Sequence, residues 1–131
     1  MATLIIGGNG LVGTRLVSHL CGMGEEVISF SGHKPSCEVK GCTYVQGDVT
    51  EYGTINQILY THKVDRILHN AAVSHPKLFL DNPYKIYRTN VVGTLTALEA
   101  ARNYGVERFV YMSSGAVYGN VSLETVPEET P

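Results

Sequence analysis

Cysteine is scarce: Cys21, Cys37 and Cys42 are the only three, and neither their odd number nor their spacing suits a metal site or a disulfide framework. They read as free thiols in a reducing compartment. An excess of charge of one sign is also lacking. Ten basic and twelve acidic residues give a net charge of −2, without the basic stripe of a nucleic-acid binder. No apolar run approaches the roughly 20 residues of a membrane span. Leu4 already belongs to the first expected strand, so no signal peptide is expected. Internal repeats and low-complexity segments are missing. These absences point to a cytoplasmic protein that engages neither nucleic acid nor membrane. Its 131 residues, 44% of them hydrophobic, suffice for one core and one domain.

What is present begins with Gly7-Gly8-Asn9-Gly10-Leu11-Val12-Gly13, directly after the apolar run Leu4-Ile5-Ile6. A short buried strand that breaks into glycines and restarts as an amphipathic helix is the pattern of a dinucleotide-phosphate cradle. On this reading Gly8 permits the tight turn and Gly10 lets the backbone approach a pyrophosphate. Gly13 lets the helix lie close on the strand. The amides that open the helix and the positive end of its dipole face the phosphates. A phosphate-loop nucleoside triphosphatase is excluded because no Lys-Ser or Lys-Thr closes the loop. A glycine turn without a ligand stays open as the alternative.

Strands and helices then alternate. Strands are expected at Thr3–Ile6, Val27–Phe30, Thr43–Val45, Arg66–His69 and Phe109–Met112. Leu11, Val12, Leu16, Val17 and Leu20 mark the first helix, which Gly22 and Gly24 end. Thr50 can cap a second helix carrying Ile55, Ile58 and Leu59. Asp81-Asn82-Pro83 starts a third, running through Val91, Leu95 and Leu98 to Gly105. Tyr87, Val91, Leu95 and Leu98 repeat at helical spacing and are expected to face the sheet. The alternation implies a doubly wound α/β Rossmann sheet of about five parallel strands in the order 3-2-1-4-5. The domain is read as residues 1–119. Residues 120–131, rich in proline and acid, read as a connecting segment, so the chain looks cut from something longer.

Ligands of open parallel sheets bind outside the carboxyl ends of the strands. After strand three, the Asp48 carboxylate could accept from an adenine amino group or simply cap the next helix. After strand four, the small Asn70-Ala71-Ala72 could admit a flat ligand or merely pack. His69 reads as a satisfied core histidine and His75 as a surface residue. After strand five, the hydroxyls of Ser113 and Ser114 could touch a substrate or satisfy their own turn.

Five motifs in order, Gly-Gly-Asn-Gly-Leu-Val-Gly, Gly-Asp-Val, His-Asn-Ala-Ala, Thr-Asn-Val-Val-Gly-Thr and Ser-Ser-Gly-Ala-Val-Tyr-Gly, resemble the extended short-chain dehydrogenase/reductases. These are the nucleotide-sugar epimerases and dehydratases, and the resemblance runs from Thr3 to Pro131. It implies that Gly7, Gly10 and Gly13, with Leu11 and Val12, hold a pyrophosphate and that Asp48 and Val49 border the adenine. Asn70, Ala71 and Ala72 would flank the cofactor, with Asn90 in the helix behind. Ser114 matches the catalytic serine and Ser113 its neighbour, both toward a nucleotide-sugar. A homodimer built from two helices per subunit is implied, of which only the one beginning at Pro83 is present. Ile86, Tyr104 and Val106 and the sheet edge beyond strand five are then expected to lack cover, favouring self-association.

Two departures qualify the resemblance. At the end of strand two, where many NAD-selective members carry an acid, the chain reads Ser31-Gly32-His33-Lys34. Ser31 repels no 2′-phosphate and His33 or Lys34 could attract one, so NADP or NAD is expected with a lean toward NADP. The Tyr-x-x-x-Lys pair that moves the proton in the family is also absent. A phenol with a pKa near 10 needs such a cation to act at neutral pH. The chain therefore reads as the NAD(P)-binding portion of an epimerase, dehydratase or reductase, inactive by itself. A naturally short, non-catalytic NAD(P)-binding module or partner subunit is the alternative, and a structural domain with a vestigial cradle a third.

Overall fold

The strand β1 (Ala2–Ile6) is buried along its whole length and pairs in parallel with β2 (Glu26–Ser31) on one side and β4 (Arg66–His69) on the other. Burial on both faces is why an interior parallel strand reads as an unbroken apolar run. The strand β3 (Cys42–Gln46) adds outside β2, and β5 (Arg108–Tyr111) outside β4, giving the expected order β3-β2-β1-β4-β5. The computed structural model describes residues 1–74, 80–119 and 127–128. His75 and nearly all of the 120–131 segment lie outside the described residues. No helix among the described residues is long and apolar enough to cross a membrane.

The two faces of the sheet are covered unequally. Leu4, Ile6, Ile28, Phe30 and Ile67 pack under α2 (Tyr52–His62) and a later helix, here α4 (Gly93–Tyr104). Ile5 and Val27 on the other face meet Val17 of α1 (Leu11–Gly22), with Leu16 and Leu20 beside it. The N-cap position of α2 is held by Glu51, which makes no side-chain cap, rather than by Thr50 as expected. The Thr50 hydroxyl is drawn instead to the Asp48 carboxylate.

The helix expected to run unbroken from Pro83 to Gly105 is three pieces: α3 (Pro83–Tyr87), a π-helical turn (Arg88–Val92) and α4. Asn82 caps the first by accepting from the Lys85 N–H at 3.0 Å, and Gly105 closes the last at φ 84°. The expected packing face is corrected here. Tyr87, Val91, Leu95 and Leu98 stand 41–59% exposed, while Gly93, Ala97, Ala100 and Ala101 face the core. Small side chains let α4 lie close on the sheet and on α2, so the large ones are left outside. Ile86 is buried, and Tyr104 and Val106 pack against the main core, which corrects the expectation that these three lack cover. Val110, Tyr111 and Met112, at the β5 edge, are exposed as expected.

Candidate functional site

The turn after β1 is built on close backbone contacts. Gly7 holds φ +86°, the left-handed region that favours glycine, and its N–H donates to the Phe30 carbonyl at 2.8 Å. A Cβ on Gly7 would lie 2.7 Å from the Ala71 nitrogen, so this turn rests against the loop after β4. Gly8, expected to permit the tight turn, is not the residue with positive φ; Gly7 is. Gly8 is instead constrained by Ser29, whose Oγ would be 2.2 Å from an added Cβ. Gly13 fits its expected part, because a Cβ there would fall 2.2 Å from the Gly7 carbonyl oxygen.

Gly10 differs from these. Its added Cβ would meet only the Gly7 oxygen, at 3.3 Å, and would otherwise enter open space. It is the N-cap of α1 and offers no side chain to the amides of the first turn. Leu11 and Val12 stand exposed at this end of the helix.

Asn9 escaped the sequence reading. Its Nδ2 donates to the His33 carbonyl at 2.6 Å, and its Oδ1 accepts from the Ser29 hydroxyl at 2.6 Å. His33 Nε2 in turn lies 3.3 Å from the Asn9 carbonyl. The glycine turn and the end of β2 are thereby tied together. The available signal was Ser29, a hydroxyl inside an otherwise apolar strand.

These segments surround a cleft of about 730 Å³ at the carboxyl end of the sheet. Gly7 and Gly10 line it from β1, Ser31, Gly32 and His33 from β2, Gly47, Asp48 and Val49 from β3, and Asn70 to Ser74 from β4. Lys85 of α3 and Thr89 of the π turn complete the wall, and neither was predicted. Their place depends on where α3 and the π turn lie against the cleft, which no local pattern encodes. Lys34 is exposed and does not line the cleft. Asn90 stands behind it: Oδ1 accepts from the Val73 N–H at 2.8 Å and Nδ2 donates to the Val73 carbonyl at 3.0 Å.

Asp48 is already engaged. Its Oδ1 accepts from the Thr50 N–H at 2.9 Å and from the Thr50 hydroxyl at 2.8 Å, and Oδ2 faces Arg88 Nη2 at 3.3 Å. The Thr50 bonds first, and the Arg88 charge after them, hold its pKa below the ordinary 3.8. Ser113 and Ser114 follow β5 and are exposed outside the cleft. Ser114 Oγ accepts from the Ala116 N–H at 3.2 Å and caps the short 3₁₀ turn Gly115–Tyr118.

His69, read as a satisfied core histidine, is only half satisfied. Thr94 Oγ1 spends its proton on the Asn90 carbonyl at 2.7 Å, so it accepts from His69 Nε2 at 3.0 Å. That leaves Nδ1 buried without a partner among the described residues. Burial pushes the pKa of His69 down to about 4, and the ring is neutral at physiological pH.

The cradle passes a simple test of fit for a dinucleotide phosphate. At Gly7 and Gly10 the backbone faces the cleft without a Cβ, helix amides open beside it, and no carboxylate among the described residues belongs to the turn itself.

Comparison with known proteins agrees with this geometry. The chain is 30% identical over 135 residues to the UDP-glucose 4-epimerase of Lacticaseibacillus casei, matching all of this chain and 40% of that protein. It is 30% identical over 130 residues to the UDP-glucose 4-epimerase of Klebsiella pneumoniae, there spanning 92% of this chain and 94% of the relative. The crystal structure of the Thermus thermophilus UDP-glucose 4-epimerase in complex with NAD superposes with a TM-score of 0.89 at 30% identity, over 99% of this chain and 43% of that one. The chain thus spans about 40% of the length of the first of these relatives. Residues 3–131 match the NAD dependent epimerase/dehydratase family along nearly the whole sequence, and the chain belongs to that family.

Proposed function

We propose that residues 1–119 are the dinucleotide-holding domain of a nucleotide-sugar epimerase or dehydratase, with 120–131 as a connection. The observation that carries this reading is the open side of Gly10, facing a cleft that draws on the ends of four strands. In this assignment the amides of Leu11, Val12 and Gly13 hold the pyrophosphate, with Gly7 and Gly10 giving it room. Asp48 and Val49 border the adenine, Ser31 and His33 the ribose, and Asn70, Ala71 and Ala72 the remainder. Asn90 props the Val73 wall. When bound, the dinucleotide supplies a carbon that takes up and returns hydride. Ser114 would hydrogen-bond the substrate oxygen, with Ser113 beside it. No Tyr-x-x-x-Lys pair is present among these residues to move the proton, so the 131-residue chain should not turn over a nucleotide-sugar.

The cofactor we propose is NAD or NADP. The Thermus epimerase is a complex with NAD, which lends no support to a lean toward NADP, and Lys34 stands away from the cleft. Calorimetric titration with both dinucleotides, on wild type and Gly10→Val, tests the site. Gly10 has φ −79° and ψ 179°, extended backbone that valine adopts easily, so the fold should survive. Affinity should fall by at least about tenfold, because two methyls would occupy the phosphate path. Equal affinity in both proteins would remove the cradle assignment. A second reading, a non-catalytic binding module, is favoured by Ser114 standing exposed outside the cleft.

A homodimer belongs to the same proposal. Tyr84, Tyr87, Val91, Leu95 and Leu98 are exposed apolar residues along α3, the π turn and α4 that a second copy would cover. Light scattering should find a dimer that Leu95→Asp converts to a folded monomer. A wild-type monomer at every concentration would end that proposal. The compartment we propose is the cytoplasm, where the three thiols stay free.

A further inference from the structure

The π turn touches both walls of the cleft. Asn90 brackets Val73 on the β4 side. Two residues earlier, Arg88 reaches the β3 side, where Nη2 lies 3.3 Å from Asp48 Oδ2 and also donates to Thr50 Oγ1. Gly93, just after the turn, packs so close that an added Cβ would fall 2.4 Å from Val49 Cγ1. The Asp48–Thr50 loop is therefore held to this helix by backbone contact and by charge.

Arg88 governs both oxygens of the carboxylate. It faces Oδ2 directly, and it engages the lone pair of the Thr50 hydroxyl whose proton goes to Oδ1. Each carboxylate oxygen can accept about two hydrogen bonds. Oδ1 already accepts two, both from Thr50, and Oδ2 keeps one site free. A fixed, ionised acceptor at a cleft wall attracts an N–H donor and repels a carbonyl oxygen. Without the guanidinium, the Oδ2 end would lose its partner and turn toward solvent.

We propose that Arg88 is a positioning residue for base recognition: by orienting the Asp48 carboxylate it makes the cleft select a 6-aminopurine over a 6-oxopurine. This rests on the reading of the cleft as a dinucleotide site. The probes are NAD and nicotinamide hypoxanthine dinucleotide, which differ in that one exocyclic group, and the readout is the ratio of their dissociation constants.

Wild type should prefer NAD. Arg88→Gln should lower that preference about two- to fivefold, the range an exposed ion pair can move an equilibrium. Asp48→Asn, whose amide both donates and accepts, should abolish the preference, and Arg88→Gln added to it should change the ratio no further. Arg88→Lys, which keeps the charge without the fork, should fall between wild type and Arg88→Gln. Arg88 and Asp48 side chains are 45% and 49% exposed, so these variants should fold, and a thermal melt checks it. An unchanged ratio in Arg88→Gln, or equal weakening of both dinucleotides, would overturn the positioning role while leaving the cleft intact. Binding of neither dinucleotide by wild type would instead remove the cleft assignment, and this proposal with it.

Discussion

Replacing Gly13 by alanine should destabilise the domain strongly, although alanine is the better helix former. In an open helix the exchange gains up to about 1 kcal/mol. Here the new Cβ would sit 2.2 Å from the Gly7 carbonyl oxygen, 2.7 Å from Gly8 Cα and 2.8 Å from the Gly8 carbonyl carbon. All three are backbone atoms, so no side chain can rotate away. Either α1 lifts from the turn or the turn opens, and overpacking of this kind costs about 1–3 kcal/mol or more. Because the obstacle is rigid, we expect a net loss near the upper end, a fall in melting temperature on the order of 10 °C. Gly22→Ala is the control. It lies in the same helix, its Cβ would meet nothing within 4 Å, and it should melt no lower than wild type. Circular dichroism melts of the three proteins decide the matter. Equal melting of Gly13→Ala and wild type would mean that the turn and helix are not as close as described.

Stability should decline in weakly acidic solution because of His69. Burial lowers its folded pKa to about 4 from an ordinary 6.5, so between these values the unfolded chain binds a proton that the folded one refuses. The His69 contribution is fully present above pH 6.5 and is lost as pH falls toward 4. The full difference amounts to roughly 3 kcal/mol. Denaturant titrations at pH values from 8 to 4 measure it. Glu25 and Asp48, held low by Arg66 and Thr50 respectively, add their losses only as pH falls below about their ordinary 4.5 and 3.8. His69→Phe should flatten the profile between pH 6.5 and 4, since the ring packs edge-on to Phe109 and Tyr111 and carries the proton site away with it. A wild-type profile already flat over that interval would show that the imidazole is not sealed from water.

The strands were legible because each interior one is a short apolar run punctuated by glycine or a polar turn. Val27–Phe30 and Arg66–His69 needed little more than that, and the parallel order followed from helical connections between them. Helix α4 was not legible in the same way. Its sequence carries two apolar stripes, one of leucine and one of alanine and glycine, and period alone does not say which faces the sheet. The π turn adds a residue to the repeat before α4 and so shifts the stripe carried over from α3.

The site divides along the same line. Gly7 and Gly10, Gly47-Asp48-Val49 and Asn70-Ala71-Ala72, which line the cleft, lie in segments legible in the sequence, since each follows a strand end where a parallel sheet gathers its ligand-binding loops. The separate duties of Gly7, Gly8 and Gly10, the Asn9 tie to His33, and the reach of Arg88 to Asp48 were decided only by tertiary structure. Sequence determines where the chain must turn and which segments must be buried, because those are local costs of backbone and solvation. Which side chain meets which across a separation of 24 or 40 residues depends on how helices lie on the twisted sheet, and no local pattern carries that information.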